Sequence, residues 1–124
     1  MNKKKILIVD DNNDYLDLLE MYLYRNYDIS TAVNGFEALR IVEDVHPDCI
    51  LTDIMMPEMD GIKFINALRK ISGFEKIPVI ATTKFVHQHT TKSLLSVGFA
   101  DVIEKPVVKE NLDRIIIDIL GGQS

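Results

Sequence analysis

A single cysteine rules out any disulfide within the chain, and with it the stapled scaffolds of small secreted domains. Cys49 stands between Asp48 and Ile50 in what reads as a buried strand, so a reducing cytoplasm is the expected setting. No apolar run approaches the ~20 residues of a membrane span, and association with a membrane is not expected. The start Met1-Asn2-Lys3-Lys4-Lys5 is basic like an export signal, but the apolar run behind it stops at Val9 and two aspartates follow. That is too short for export. Basic charge is in deficit: 14 Lys and Arg against 19 Asp and Glu leave a net −5 and a pI near 5.1. A surface reading nucleic acid needs a basic face, so direct binding to DNA or RNA is not expected and protein or small-molecule partners are. Repeats, linkers and low-complexity tracts are also missing, and 124 residues suffice for about one domain, expected to span 1–124.

What the chain does have is short apolar runs of strand length: Ile6 to Val9, Cys49 to Leu51, Val79 to Ala81, and Val102 to Ile103 with Ala100 ahead of them. A weaker segment, Asp28 to Val33, alternates Ile29, Thr31 and Val33 and suits a strand at the sheet edge. Between these runs lie helical stripes. Leu16, Leu19 and Leu23 form one; Ala38, Ile41, Val42 and Val45 a second; Phe64, Ile65, Leu68 and Ile71 a third; Leu112, Ile115, Ile116 and Ile119 a fourth. Thr90 to Gly98 is a poorer helix, with only Leu94, Leu95 and Val97 for an apolar side. Turn signals such as Asn34-Gly35, His46-Pro47, Ser72-Gly73 and Lys105-Pro106 fall between the elements. Strands alternating with helices imply right-handed βαβ units, hence a five-stranded, doubly wound parallel α/β sandwich with helices on both faces.

In such a sheet ligands bind beyond the carboxyl ends of the strands, where strand order reverses. The residues delivered there are Asp10-Asp11, Thr52-Asp53, Thr82-Thr83 and Glu104-Lys105. Three converging carboxylates repel by roughly 4 kcal/mol per close pair at an effective dielectric near 20. A cation relieves that repulsion, and a small hard dication with oxygen ligands, Mg2+ or Mn2+, fits best. With it in place Asp53 can attack phosphorus, Lys105 can neutralise charge on the transferring group, and Thr83 can hydrogen-bond a phosphoryl oxygen. Blander roles exist for each residue alone: Asp10 and Asp11 as helix caps, Asp53 as a turn residue, Lys105 as a surface lysine. Against the first stands the supply of other caps in Asn12, Asn13 and Asp14. The histidines His46, His87 and His89 show no ligand spacing and read as loop or surface residues, and Met55, Met56 and Met59 as rim and packing residues.

Four ordered motifs, Ile6-Leu7-Ile8-Val9-Asp10-Asp11, Asp53-Ile54-Met55-Met56-Pro57-Glu58-Met59-Asp60-Gly61, Pro78-Val79-Ile80-Ala81-Thr82-Thr83 and Lys105-Pro106, cover nearly the whole chain and resemble the receiver domain of bacterial response regulators. The resemblance implies a flavodoxin-like sheet of order 2-1-3-4-5. It implies Asp53 as phosphoacceptor, Asp11 as a direct Mg2+ ligand, Asp10 as a ligand largely through water, and the backbone carbonyl of Met55 as a further ligand. Thr83, thirty residues after Asp53 and twenty-two before Lys105, becomes the switch hydroxyl, and Lys105 the phosphate-pairing amine. Thr82 is expected to point to the opposite face. The implied function is that of a phosphorelay module rather than of an enzyme acting on external substrates. It takes a phosphoryl group from the phosphohistidine of a sensor kinase or phosphotransfer protein, switches conformation, signals to a downstream protein and dephosphorylates itself.

Two positions depart from that family's pattern. Val102 stands three residues before the lysine, where an aromatic is usual, so an aromatic rotamer switch does not follow. Lys84 follows the switch threonine, where a small residue is usual, and is expected to change the lifetime of the acyl phosphate. Two rivals share parts of the chemistry. A phosphatase of the haloacid-dehalogenase type needs a second aspartate two residues after the nucleophile, and those places hold Asn12 and Met55. A flavodoxin-like cofactor module needs a phosphate loop rich in Ser, Thr and Gly, which Asp10 to Asp14 is not. A receiver cut from a longer regulator or hybrid kinase remains open, with Gly121-Gly122-Gln123-Ser124 as a natural tail or the start of a linker.

Overall fold

The computed structural model describes residues 3–84 and 91–121. His87 and His89, and Thr90 at the start of the weakest expected helix, lie outside the described residues. The elements run β1 (Lys4–Val9), α1 (Asn13–Leu23), β2 (Tyr27–Ala32), α2 (Gly35–Val45), β3 (Cys49–Asp53), α3 (Gly61–Leu68), β4 (Val79–Thr83), α4 (Thr91–Val97), β5 (Asp101–Glu104) and α5 (Lys109–Ile116), which continues as one π-helical turn, Ile117–Gly121. The strands form one parallel sheet of order β2-β1-β3-β4-β5, a flavodoxin-like α/β fold. The weak strand β2 is at the edge, only partly buried along most of its length, as its sparse apolar alternation requires.

Alternation along the strands divides the core in two. Leu7, Val9, Ile50, Val79 and Ala81 point to the side covered by α2, α3 and α4, where they meet Val42, Phe64, Leu68 and Leu94. Ile6, Ile8, Cys49, Leu51, Ile80 and Ile103 point to the side of α1 and α5, against Leu16, Leu19, Leu23, Leu112 and Ile116. Burial pushes the Cys49 thiol up to about 12, so it stays a neutral packing group at physiological pH.

The third and fourth strands run on to Asp53 and Thr83, as the sequence reading has them, so the polar residues are paired members of the ladder. Two details differ from the sequence reading. Helix α3 stops at Leu68, and Ile71 packs from the following turn, where its N–H donates to Leu68. The last stripe gains Leu120, buried in the π-helical turn, while Ile115 and Ile119 are only partly buried. Helix α4 ends at Gly98, whose φ of +126° few other residues adopt.

Candidate functional site

Chain order places β2 on one side of β1 and β3 on the other, so the strand order reverses at the carboxyl ends of β1 and β3. A cleft of about 290 Å3 opens there, lined by Asp10, Asp11, Asn12, Tyr15, Asp53, Met55, Lys84 and Lys105. Asp10 follows the last residue of β1 and donates its N–H to Ala32. Asn12 caps α1, its side chain accepting from the Tyr15 N–H at 3.1 Å. With the cap supplied by Asn12, the two preceding aspartates are not needed to start the helix.

Asp53 ends β3, and the loop behind it folds back on the same strand end. Glu58 takes a φ of +70°, the Met59 N–H donates to Pro57, Asp60 caps α3, and the Gly61 N–H donates to the Ile54 carbonyl at 2.9 Å. Gly61 lies so close that a Cβ there would stand 2.5 Å from the Asp53 carbonyl oxygen. The run from Asp53 to Gly61 is therefore a clamp that fixes the strand end. Met55, 44% exposed, is on the rim; Met56 is buried, and Met59 packs against Gly35. This matches the rim and packing roles read from the sequence.

One carboxylate oxygen each from Asp10, Asp11 and Asp53 lies within 4.8 Å of the others. Asp10 is 1% exposed and Asp53 7%, while Asp11 is open to solvent. The Lys105 ammonium stands 2.7 Å from Asp10 Oδ2 and 3.4 Å from Asp53 Oδ2. The Asp53 Oδ1 atom accepts from the Ile54 N–H at 2.8 Å, which leaves Oδ2 facing the cleft charges. Burial raises the Asp53 carboxyl above its ordinary value, with Lys105 opposing and Asp10 adding to the rise. Burial alone would lower Lys105, but the hydrogen bond to Asp10 and the charge of Asp53 hold it above its ordinary value. The lysine is therefore a fixed cation at neutral pH.

Three carboxylates against one ammonium leave this group two negative charges in excess when all are ionised. The donors are hard carboxylate oxygens at the edge of an open cleft, with no nitrogen or sulfur ligand among them, so the residues present fit a divalent Mg2+ or Mn2+.

Of the residues singled out in the sequence, Asp10, Asp11, Asp53, Met55 and Lys105 meet at the cleft. Thr83 is fully buried at the end of β4, its carbonyl accepting from the Lys105 N–H at 2.9 Å. Thr82 is the residue in register with Asp53, and Thr83 is in register with Glu104. Lys84 does line the cleft, and it is exposed. Sequence reasoning named Asn12 only as a cap, which it is, without placing it at the cleft, and missed Tyr15. Tyr15 sits in the first turn of α1, four residues before the core residue Leu19, which puts it on the packed side of the helix beside the strand-end acids.

Comparison with known proteins identifies the family and the fold. The family model described as the response regulator receiver domain matches residues 6–117. The chain is 38% identical over 112 residues to an uncharacterised 14.6 kDa protein of Leptolyngbya boryana, covering 90% of this chain and 86% of that one. It covers only 8%, 26% and 49% of three longer curated relatives. Among solved structures, the chemotaxis protein CheY4 of Vibrio cholerae superposes with a TM-score of 0.89 at 28% identity, covering 95% of this chain and 99% of that one. The receiver domain of a sensor histidine kinase from Pseudomonas aeruginosa, solved with a magnesium ion coordinated in the active site cleft, gives 0.87 at 28% identity, covering 96% and 98%. The chain belongs to the response regulator receiver domains, the signalling modules of two-component systems.

Proposed function

We propose that Asp53 accepts a phosphoryl group from a phosphohistidine, with Mg2+ or Mn2+ held by Asp10, Asp11, Asp53 and the Met55 carbonyl. The observation that carries this is the half-paired Asp53 carboxylate, with Oδ1 fixed by a backbone N–H and Oδ2 facing the Lys105 ammonium 3.4 Å away. The magnesium ion described in the Pseudomonas receiver domain supports the choice of metal. When bound, the dication neutralises oxygens of the transferring phosphoryl group. Oδ2 of Asp53 attacks phosphorus, the P–N bond to the donor histidine breaks, and the nitrogen keeps the electron pair. Lys105 moves its hydrogen bond from a carboxylate to a phosphoryl oxygen, which holds the group in line and offsets its charge of about −1.5 to −2. In hydrolysis water attacks phosphorus, the P–O bond to Asp53 breaks, and inorganic phosphate leaves.

Thr83 acts as the switch hydroxyl. It is buried at the end of β4 with its carbonyl bonded to the Lys105 N–H, so a hydrogen bond from its hydroxyl to the phosphoryl oxygen pulls on that strand end, and that movement is the signal. The downstream protein reads it through α4, β5 and α5. The donor is a sensor histidine kinase or phosphotransfer protein in the cytoplasm, and residues 1–124 work as one receiver unit. No helix of the described residues is long and apolar enough to cross a membrane.

The test is incubation with Mg2+ and acetyl phosphate or phosphoramidate. The expected result is a mass gain of one phosphoryl group that Asp53→Asn abolishes and EDTA suppresses. A parent protein that gains nothing from any donor, or gains equally as Asp53→Asn, refutes the reading.

Lys84 gives a further expectation. It is exposed and lines the cleft. No described residue forms a salt bridge with it. Its charge favours the dianionic phosphoryl group more than the looser, metaphosphate-like transition state of hydrolysis. Lys84→Ala is expected to shorten the aspartyl phosphate lifetime about two- to fivefold, an effect that fades at high salt. Decay followed by mass spectrometry after donor removal measures it; unchanged loading and decay would dismiss the role.

A further inference from the structure

The Lys105 ammonium touches a third group besides its two carboxylates. It lies 4.3 Å from the ring centroid of Tyr15. The ring is fixed at both ends. At one end its backbone is in the capped first turn of α1, where the Tyr15 N–H donates to the Asn12 side chain and backbone carbonyl. At the other its hydroxyl accepts from the Val107 N–H at 2.9 Å, across 92 residues of sequence. Val107 is buried in the core beneath α1 and α5, and α5 itself begins without a side-chain cap. Tyr15 is thus a brace between the start of α1 and the turn leading from Lys105 into α5.

We propose that Tyr15 is a positioning residue for Lys105. A lysine stem has four rotatable bonds and an ammonium without directional preference, so two carboxylates on one side do not fix where its charge sits. The negative face of an aromatic ring supplies the opposite wall, and a cation there is held without a competing negative charge that would repel an incoming phosphoryl group. Leucine would keep an apolar side chain there and give no such attraction. The hydroxyl keeps the ring in place by satisfying a backbone donor next to the lysine's own turn. This rests on the phosphoacceptor reading of Asp53, in which Lys105 must reach a phosphoryl oxygen.

The experiment compares Tyr15→Phe, Tyr15→Leu and Lys105→Met, singly and with Tyr15→Leu combined with Lys105→Met, using Mg2+ and phosphoramidate. Tyr15→Leu is expected to lower the loading rate at saturating donor about three- to tenfold, with donor affinity nearly unchanged, and Tyr15→Phe to retain most of it. In the Lys105→Met background, Tyr15→Leu is expected to change nothing further. By NMR without donor, the Lys105 ε-methylene protons should show the upfield ring-current shift in the parent and in Tyr15→Phe. That shift should vanish in Tyr15→Leu, and the Val107 amide should exchange faster in Tyr15→Phe. A folded Tyr15→Leu protein that loads at the parent rate overturns the proposal, as does an equal loss with and without Lys105. A parent that does not load on Asp53 instead refutes the reading beneath it, and the NMR comparison then still decides whether Tyr15 holds the ammonium.

Discussion

Lys105→Met is expected to lower stability by about 3 kcal/mol at pH 7 in EDTA, measured as the urea midpoint of the metal-free protein. The methionine keeps the stem's volume, so packing against Tyr15 changes little. What is lost is the ammonium 2.7 Å from Asp10, a carboxylate 1% exposed, and 3.4 Å from Asp53, itself 7% exposed. Breaking one side of a buried ion pair leaves the other charge uncompensated, which costs more than the pair contributed. The pH dependence gives the sign. Asp53 already sits above the ordinary carboxylate value through burial, with Lys105 as the chief opposing influence, so its removal raises the carboxyl further. A folded-state pKa above the unfolded one gives stability that is present at acid pH and lost as pH rises through the folded value. Parent and variant should therefore be nearly equal near pH 4 and diverge toward neutrality. Mg2+ should recover part of the loss, and so should adding Asp10→Asn to the variant. A gap that is flat in pH would mean that Lys105 stabilises by packing alone.

The same pair shows how far the sequence could be read. Strand-length apolar runs ending in acid, hydroxyl and amine were visible because period and length are local properties. The parallel sheet then follows from alternation, and the cleft from the general place of ligands in such sheets. The receiver likeness supplied the strand order and the roles of Asp53 and Lys105. Tyr15 was out of reach, because its two partners, Lys105 and Val107, are about ninety residues away and no spacing rule links an aromatic in the first turn of α1 to them. Thr83 shows a different limit. Its numbering places it at the strand end, yet the ladder sets Thr82, not Thr83, level with Asp53, and register across strands is not legible in the numbering. The apolar stripe runs on to Ile71, past the end of α3 at Leu68, because an apolar residue packs equally well from a turn, and periodicity does not record where the backbone leaves the helix.

Gly61→Ala is expected to cost about 2 kcal/mol or more in stability and to weaken both Mg2+ binding and phosphoryl loading. A methyl group at this position would meet the Asp53 carbonyl oxygen at 2.5 Å and the Ile54 Cα at 3.0 Å. Both are backbone atoms, and neither can swing aside as the end of a side chain would. The strand end or the start of α3 must move, and the strand end carries the carboxylate on which the site is built. Gly73→Ala is the control that separates this from a general cost of replacing glycine. Gly73 has a φ of +97°, so alanine is strained there, but nothing within 4 Å would touch the new methyl. It should lose about 1 kcal/mol through its backbone and leave loading at the parent rate. Urea midpoints together with phosphoramidate loading distinguish the two. Equal loading by both variants would mean that the Asp53 carboxylate holds its place without the close approach of Gly61, and that the clamp from Asp53 to Gly61 serves the fold rather than the chemistry.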